Sequence, residues 1–264
     1  MRILKLLVAS VVALGLGNAA VAQDEEKEKD APPLSSKTFK AFELRNIGPA
    51  FMSGRIADIA IVQDDPATWY VAVGSGGVWK TENAGTTWTS LFEGQGAYSI
   101  GTVALDPNDP ARVYVGTGEN NGGRHIGFGD GVYRSDDGGK TWENIGLKQS
   151  EHISKIIVHP EDPNTIWVAS QGPLWSPGGE RGVFKTTDGG KTWENVLAKG
   201  PYTGATDMVI DPSNPDRLYA ALWQHHRTVA TYIGGGPESR LYRSEDGGET
   251  WTMLKTGLPT GNMG

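Results

Sequence analysis

Ser135-Asp136-Asp137-Gly138-Gly139-Lys140-Thr141-Trp142 is the stretch that decides the fold, because the chain contains this octet in four versions. Close copies run from Thr186 to Trp193 and from Ser244 to Trp251, and a weaker copy, T-E-N-A-G-T-T-W, runs from Thr81 to Trp88. The closing tryptophans recur every fifty to sixty residues. Self-similarity at such a period indicates one supersecondary unit that is repeated along the chain.

The residue types of the octet are those of a tight turn. A Ser or Thr followed two places later by Asp or Asn offers oxygen atoms to nearby backbone N–H groups, and the glycine after it permits a positive φ. The closing Thr-Trp starts a strand with a large aromatic anchor. A calcium loop is disfavoured, since the EF-hand spacing is missing. We therefore predict structural roles for Thr81, Asn83, Gly85, Trp88, Ser135, Asp137, Gly139, Trp142, Thr186, Asp188, Gly190, Trp193, Ser244, Asp246, Gly248 and Trp251.

Each repeat also contains further strand patterns outside the octet. All four units have the same order of segments: an apolar run, a Pro-rich turn, a second apolar run and a third strand that enters the octet. The predicted first strands are 56–62, 100–105, 153–158 and 205–210; the second are 69–73, 113–116, 166–169 and 218–222. Four antiparallel strands in each repeat predict an all-β propeller, with almost no helix. We expect an incomplete ring of four visible blades over 38–264, with further blades C-terminal to this chain.

The N-terminal residues predict export. Arg2 and Lys5 precede an apolar run that ends in Ala20-Val21-Ala22, so residues 1–22 resemble a signal peptide cleaved after Ala22. We expect a disordered acidic linker over 23–37. A strand over 38–47 is expected to help close the ring. The predicted location is the periplasm or the exterior, with no membrane insertion after cleavage.

Composition excludes several classes of function. The net charge is −7 and there is no cysteine, so neither nucleic-acid binding through bulk charge nor thiolate chemistry is expected. His225 and His226 are adjacent and would point to opposite faces of a strand, which disfavours a shared metal. We predict no metal and no cofactor.

The octets match the consensus S/T-x-D-x-G-x-T-W of the Asp-box, or BNR, repeat. Together with the D-P-x-N-P segments and the G-V-Y-R-S stretch, they make residues 40–264 resemble the Asp-box β-propellers of the sortilin family, and in particular bacterial exported proteins often labelled glycosyl hydrolases. The resemblance implies the propeller fold. It implies little about function, because Asp-boxes also occur in sialidases, xyloglucanases and an assembly factor.

Three loops are expected to form one functional face opposite the octets. The connection between the second and third strands is minimal at 74–77 but long at 118–130, 171–181 and 223–240, and loops on a rigid scaffold often carry function. The ligand-binding candidates on this face are Arg55, Glu119, Asn120, Asn121, Arg124, His125, Trp175, Arg181, Trp223, His225 and Arg227.

Two principal functions follow from these loops. The first is a non-catalytic exported module that binds a peptide, protein or glycan. The alternative is a glycoside hydrolase of the xyloglucanase or sialidase type, which needs two facing carboxylates and has weak candidates in Glu119, Asp130 and Glu180. A sialidase would also need an arginine cluster, which Arg55, Arg124, Arg181 and Arg227 could supply. A purely structural or assembly role is a third hypothesis.

Overall fold

The computed structural model describes residues 54–120 and 123–258, and this part of the chain is all-β, with no helix. The segments 1–22, 23–37 and 38–47, with their predicted signal peptide, linker and strand, lie outside the described residues. In the described ranges no helix is long and apolar enough to cross a bilayer.

Four antiparallel sheets follow one another along the chain; three have four strands and the last has five. The first blade contains β1 (Ile56–Ile61), β2 (Trp69–Val73), β3 (Gly77–Thr81) and β4 (Thr89–Ser90). The second contains β5 (Ile100–Asp106), β6 (Asp109–Thr117), β7 (Val132–Ser135) and β8 (Glu143–Gly146). The third contains β9 (Ile153–Val158), β10 (Ile166–Ser170), β11 (Gly182–Thr186) and β12 (Glu194–Leu197). The fourth contains β13 (Thr203–Asp211), β14 (Asn214–Arg227), β16 (Arg240–Ser244) and β17 (Thr252–Met253), with β15 (Tyr232–Gly234) paired to β14.

The blades pack face to face around their first strands. β1, β5, β9 and β13 lie side by side in that order, and three apolar cores fill the spaces between blades 1 and 2, 2 and 3, and 3 and 4. Strand side chains alternate between the two faces of each sheet, so every inner blade contributes to two cores. The arrangement confirms the predicted four-bladed propeller as an open arc, because no such core joins blade 4 to blade 1 among the described residues.

The octet turns are held by their own side chains. The Ser135 hydroxyl accepts hydrogen bonds from the backbone N–H of Gly139 at 2.8 Å and of Asp137 at 3.3 Å. Asp137 accepts from the backbone N–H and hydroxyl of Thr141. The same pattern recurs around Asp188 and Asp246, which confirms the structural interpretation of the motif.

The first octet reaches the same geometry with a different residue. Asn83 accepts from the Thr87 N–H at 2.8 Å and donates its amide to the Thr87 hydroxyl. Ala84 adopts a φ of 53° where Gly138 has 73° in the second blade. A positive φ is unfavourable for alanine, so this turn is the strained member of the set.

The tryptophans that close the octets are at most half-buried. Trp142 and Trp193 are half-buried, and their indole N–H groups donate to the backbone carbonyls of Leu91 and Ile145 in the preceding blade. Trp88 is 39% exposed and donates within its own octet to Gly85. In blades 2 and 3 the aromatic anchor therefore links neighbouring blades through a hydrogen bond.

The largest difference between a predicted and an observed strand is in blade 4, where the predicted strand 218–222 is much shorter than β14. β14 runs for 14 residues and carries the sheet into the loop predicted at 223–240, where it forms a hairpin with β15. Pairing with β15 satisfies backbone groups that a loop would leave to solvent. Part of the predicted third insertion is therefore a strand extension.

We predict that Ser135→Ala lowers the free energy of unfolding by about 1–3 kcal/mol, because two backbone N–H groups lose their buried acceptor. Denaturant titration followed by tryptophan fluorescence measures the change. Ser176→Ala, at an exposed serine of the blade 3 insertion, should change stability by less than about 0.5 kcal/mol. Equal effects of the two substitutions would contradict the role assigned to Ser135.

We also predict acid sensitivity from the octet aspartates. Hydrogen bonds from Thr141 and Thr250 lower the pKa values of Asp137 and Asp246 to about 2, and those from Thr192 lower the pKa of Asp188 further. Because each folded-state pKa lies below the unfolded value of about 4, the stabilisation is present above about pH 4 and is lost as the pH falls toward 2. Asp137→Asn should make the stability less steeply dependent on pH in that window; an unchanged slope would exclude Asp137 as a contributor.

Candidate functional site

The loop insertions of blades 2 and 3 meet the connection between these blades on one face of the arc. The Gly129 N–H donates to the Glu151 carbonyl at 2.7 Å, and the Glu180 N–H donates to the Gln149 carbonyl at 3.2 Å. Insertions and inter-blade connections therefore share a face, as the order of the strands predicts.

An ion pair joins blade 1 to the insertion of blade 2. The Arg55 guanidinium, whose side chain is 53% exposed, binds Oε1 of Glu119, whose side chain is 2% exposed. Glu119 Oε2 is buried and receives no hydrogen bond in the described part of the chain. A Cβ on Gly74 would lie 2.6 Å from Glu119 Oε1, so only glycine leaves room for this carboxylate. Glu119 is therefore a buried ion-pair partner of Arg55.

Side-chain amides from blades 2 and 3 hold this cluster in place. Asn120 donates to the Gly101 carbonyl at 2.9 Å, and Gln171 of blade 3 donates to the Asn120 carbonyl at 3.1 Å. Burial lowers the pKa of His152 to about 4, although a hydrogen bond with the Glu119 backbone acts in the opposite direction. The imidazole of His152 is therefore neutral near pH 7.

A groove lies between the two insertions and has a volume of about 520 Å³. One wall comes from 128–130 of blade 2, the floor from the connection at 148–151, and the other wall from 173–179 of blade 3. Phe128 is 73% exposed at its edge. The size is within the range of small-ligand sites, so the groove is a candidate site on this face.

Two carboxylates line the groove. Asp130 accepts a hydrogen bond from the Tyr133 hydroxyl at 2.7 Å. Glu151 is half-buried, and burial raises the pKa of its carboxyl. Glu151 also has a φ of 54°, in the left-handed region that non-glycine residues avoid. Strain of this kind occurs often at functional sites, which makes Glu151 the most distinctive residue of the groove.

Arg181 has a different place from the one predicted. Its side chain is 5% exposed, and the guanidinium donates to the carbonyls of Gly178, Gln171, Pro173 and Ser176 in its own loop. Burial lowers its pKa to about 10, so the group stays charged. Arg181 anchors the blade 3 insertion from inside and does not face a ligand.

The hairpin of blade 4 carries another group of aromatic and cationic candidates. Trp223 stacks on His225 with ring centroids 4.5 Å apart, and the Arg227 guanidinium lies 4.1 Å from the centre of the Tyr232 ring. His226 instead contacts Tyr202, at 4.7 Å. The two histidines therefore have different surroundings. Burial lowers the pKa of His225 to about 4.

The other predicted residues are separate from the groove lining. Arg124, His125 and Trp175 are exposed on the insertions, and Asn121 lies outside the described residues. Glu180 is half-buried, and its carboxylate accepts the Gln149 N–H at 2.7 Å. The groove brings together one predicted residue, Asp130, with residues that the sequence argument missed: Phe128, Lys148, Gln149 and Glu151.

We predict that Arg181→Gln lowers the free energy of unfolding by about 2 kcal/mol or more, because buried carbonyls lose a charged donor. Limited proteolysis should cut 172–180 faster in this variant. Arg124→Gln, an exposed arginine on the neighbouring insertion, is the matched control. Unchanged cleavage in Arg181→Gln would contradict the anchoring role.

Comparison with known proteins finds similar proteins for this fold. The family model described as "Sortilin, neurotensin receptor 3" matches residues 130–260. A xyloglucanase of Paenibacillus sp is 25% identical over 98% of this chain and 26% of its own length. The chain therefore spans about a quarter of that relative's length.

Two solved structures have a similar fold. The GH74 enzyme of Niastella koreensis is 26% identical, with a TM-score of 0.55 over 76% of this chain and 29% of that protein. The GH74 xyloglucanase of Xanthomonas campestris is 22% identical, with a TM-score of 0.56 over 77% of this chain and 30% of that protein. Four octets, four blades and these matches show an Asp-box-type β-propeller fold that is similar, over residues 130–260, to the sortilin family model.

Proposed function

We propose that this chain forms part of an exported glycoside hydrolase that acts on a polysaccharide of the xyloglucan type. The groove between the insertions of blades 2 and 3 is the proposed substrate site. The single observation that carries the proposal is the combination, in one groove, of two carboxylates and an exposed aromatic ring: Asp130, Glu151 and Phe128. The xyloglucanase relatives supply the substrate class.

Each groove residue has a proposed role that follows from its surroundings. A general acid must be protonated before it can donate to a leaving group, and burial raises the pKa of Glu151 in that direction. Asp130, positioned by the Tyr133 hydroxyl, would be the second carboxylate that glycoside hydrolysis requires. The Phe128 ring offers an apolar face on which a sugar ring can pack.

The two other catalytic candidates from the sequence, Glu119 and Glu180, fit this chemistry less well. Glu119 is buried in an ion pair with Arg55. Glu180 is not among the groove-lining residues, and its carboxylate accepts the backbone N–H of Gln149. A non-catalytic module that binds a peptide, protein or glycan, the leading expectation from the sequence, becomes the second candidate. The same groove supports it, but the names of the relatives favour hydrolysis.

We predict that Glu151→Gln and Asp130→Asn each lower kcat on xyloglucan by about 100-fold or more while substrate binding is retained. Release of reducing ends by the exported protein measures turnover, and calorimetry measures binding. Glu161→Gln, at an exposed glutamate in the turn between β9 and β10, should leave both unchanged.

The pH profile tests the assignment of Glu151 separately. Wild-type activity should fall as the pH rises through the raised pKa of Glu151, since the acid loses its proton, and Glu151→Gln should lack this limb. Binding of xyloglucan without turnover in the wild type would favour the binding module instead. If the wild-type protein shows no binding of xyloglucan and no turnover, both proposed functions are overturned.

A further inference from the structure

The connection between blades 2 and 3 holds Glu151 in a rare backbone conformation. The His152 N–H donates to the Ser150 carbonyl at 2.6 Å, and Glu151, which lies between these two residues, has a φ of 54°. A hydrogen bond across three residues with a positive central φ defines the strained form of the γ-turn. Leu147, in the same connection, has a φ of 55°. Two of the three non-glycine residues with a positive φ in the described ranges therefore lie in this connection.

Hydrogen bonds from two other segments fix the carbonyls of this turn. The Glu151 carbonyl accepts the Gly129 N–H at 2.7 Å, and the His152 carbonyl accepts the Gln171 N–H at 2.9 Å. Gly129 belongs to the insertion of blade 2, and Gln171 begins the insertion of blade 3. Strained backbone persists only where its surroundings over-determine it, and these two bonds are part of that constraint.

Gly118, which follows β6, closes the turn from another side. A Cβ at this position would lie 1.7 Å from the Glu151 carbonyl oxygen, and the φ of Gly118 is +85°. Only glycine permits both this conformation and this close approach. The backbone of Glu151 therefore lies directly against the segment 118–119.

The His152 side chain links the turn to that same segment. Its imidazole is 2% exposed and forms a hydrogen bond with the Glu119 backbone. Burial lowers the pKa of the imidazole to about 4, and repulsion from His225 of blade 4 and Arg181 of blade 3 acts in the same direction. The ring is therefore neutral near pH 7 and has one N–H to donate.

We propose that His152 is a positioning residue for Glu151. The inference rests on the proposed function, in which Glu151 is the general acid of the groove. By tying the γ-turn to the segment 118–119, the imidazole keeps the Glu151 carboxyl in its half-buried place in the groove lining. Without this bond the turn relaxes toward a negative φ, and the carboxyl moves into solvent.

Two substitutions separate the hydrogen bond from the volume of the ring. His152→Phe keeps a ring of similar size and removes the donor, so kcat on xyloglucan should fall about tenfold while KM stays within about twofold. The fall of activity at alkaline pH should also begin at a lower pH, because a more exposed Glu151 loses the burial that raises its pKa. His152→Gln keeps a donor and should restore most of the activity.

His159→Phe is the matched control for a general loss of stability. His159 also bonds backbone, since its Nδ1 accepts the N–H groups of Glu161 and Asp162, but it lies in the turn between β9 and β10. This variant should lower the melting midpoint without moving the pH profile. An equal displacement of the profile in His152→Phe and His159→Phe would overturn the proposal.

Hydrogen exchange of the Gly129 amide tests the same bond without turnover. This N–H is bonded to the Glu151 carbonyl, so its exchange should be about tenfold faster in His152→Phe and unchanged in His159→Phe. Wild-type exchange in His152→Phe would overturn the proposal. If the wild-type protein lacks turnover, the proposed hydrolysis fails, whereas faster Gly129 exchange still supports the positioning of Glu151 by His152.

A measurement on the wild-type protein covers the case in which His152→Phe does not fold. Nitrogen-15 NMR at pH 7 should show a neutral His152 ring with one N–H that exchanges slowly with solvent. A charged ring, or a ring N–H that exchanges as fast as that of the exposed His125, would overturn the proposal.

Discussion

The hydrogen bonds between the Ser or Thr hydroxyl, the Asp carboxylate and the backbone of each octet are the constraint on which the fold depends. They fix the turn between the third and fourth strands within eight residues, so the geometry needs no distant partner. This turn also directs a glycine carbonyl toward the preceding blade, where it accepts a hydrogen bond from Tyr70, Arg134 or Trp167. Local turn chemistry thus becomes the contact that sets one blade against another.

The insertions add contacts between blades, since Glu119 binds Arg55 of blade 1 and the Asn120 carbonyl accepts from Gln171 of blade 3. The octets occupy one face of the arc, and the groove with its carboxylates occupies the opposite face. A residue such as Asp130 can therefore be specialised for a ligand without loss of the bonds that hold the blades. Glu151 is the exception, because its carbonyl receives the Gly129 N–H and its side chain lines the groove.

Local chemistry explains what could be predicted from the sequence. The octets, the order of strands and the common face of the insertions follow from short-range turn signals and from the repeat. The hairpin at the end of β14 could not be predicted, because its strand character depends on pairing with Tyr232–Gly234. Glu151 gave no signal, since it lies in a connection between blades and is distinguished only by its φ and its burial. The inward direction of the Arg181 side chain could not be predicted, because an arginine in a loop has the same sequence pattern whether it points outward or into the loop.

The inward position of Arg181 has a consequence for recognition. Its guanidinium holds four carbonyls of one loop, so this wall of the groove has its shape before any ligand arrives. A loop that is ordered in advance loses little conformational entropy on binding, and more of the contact energy is then available as affinity. Preorganisation of this wall should also favour rigid, ring-containing ligands over flexible ones, because a rigid ligand loses less conformational entropy when it binds to a fixed surface.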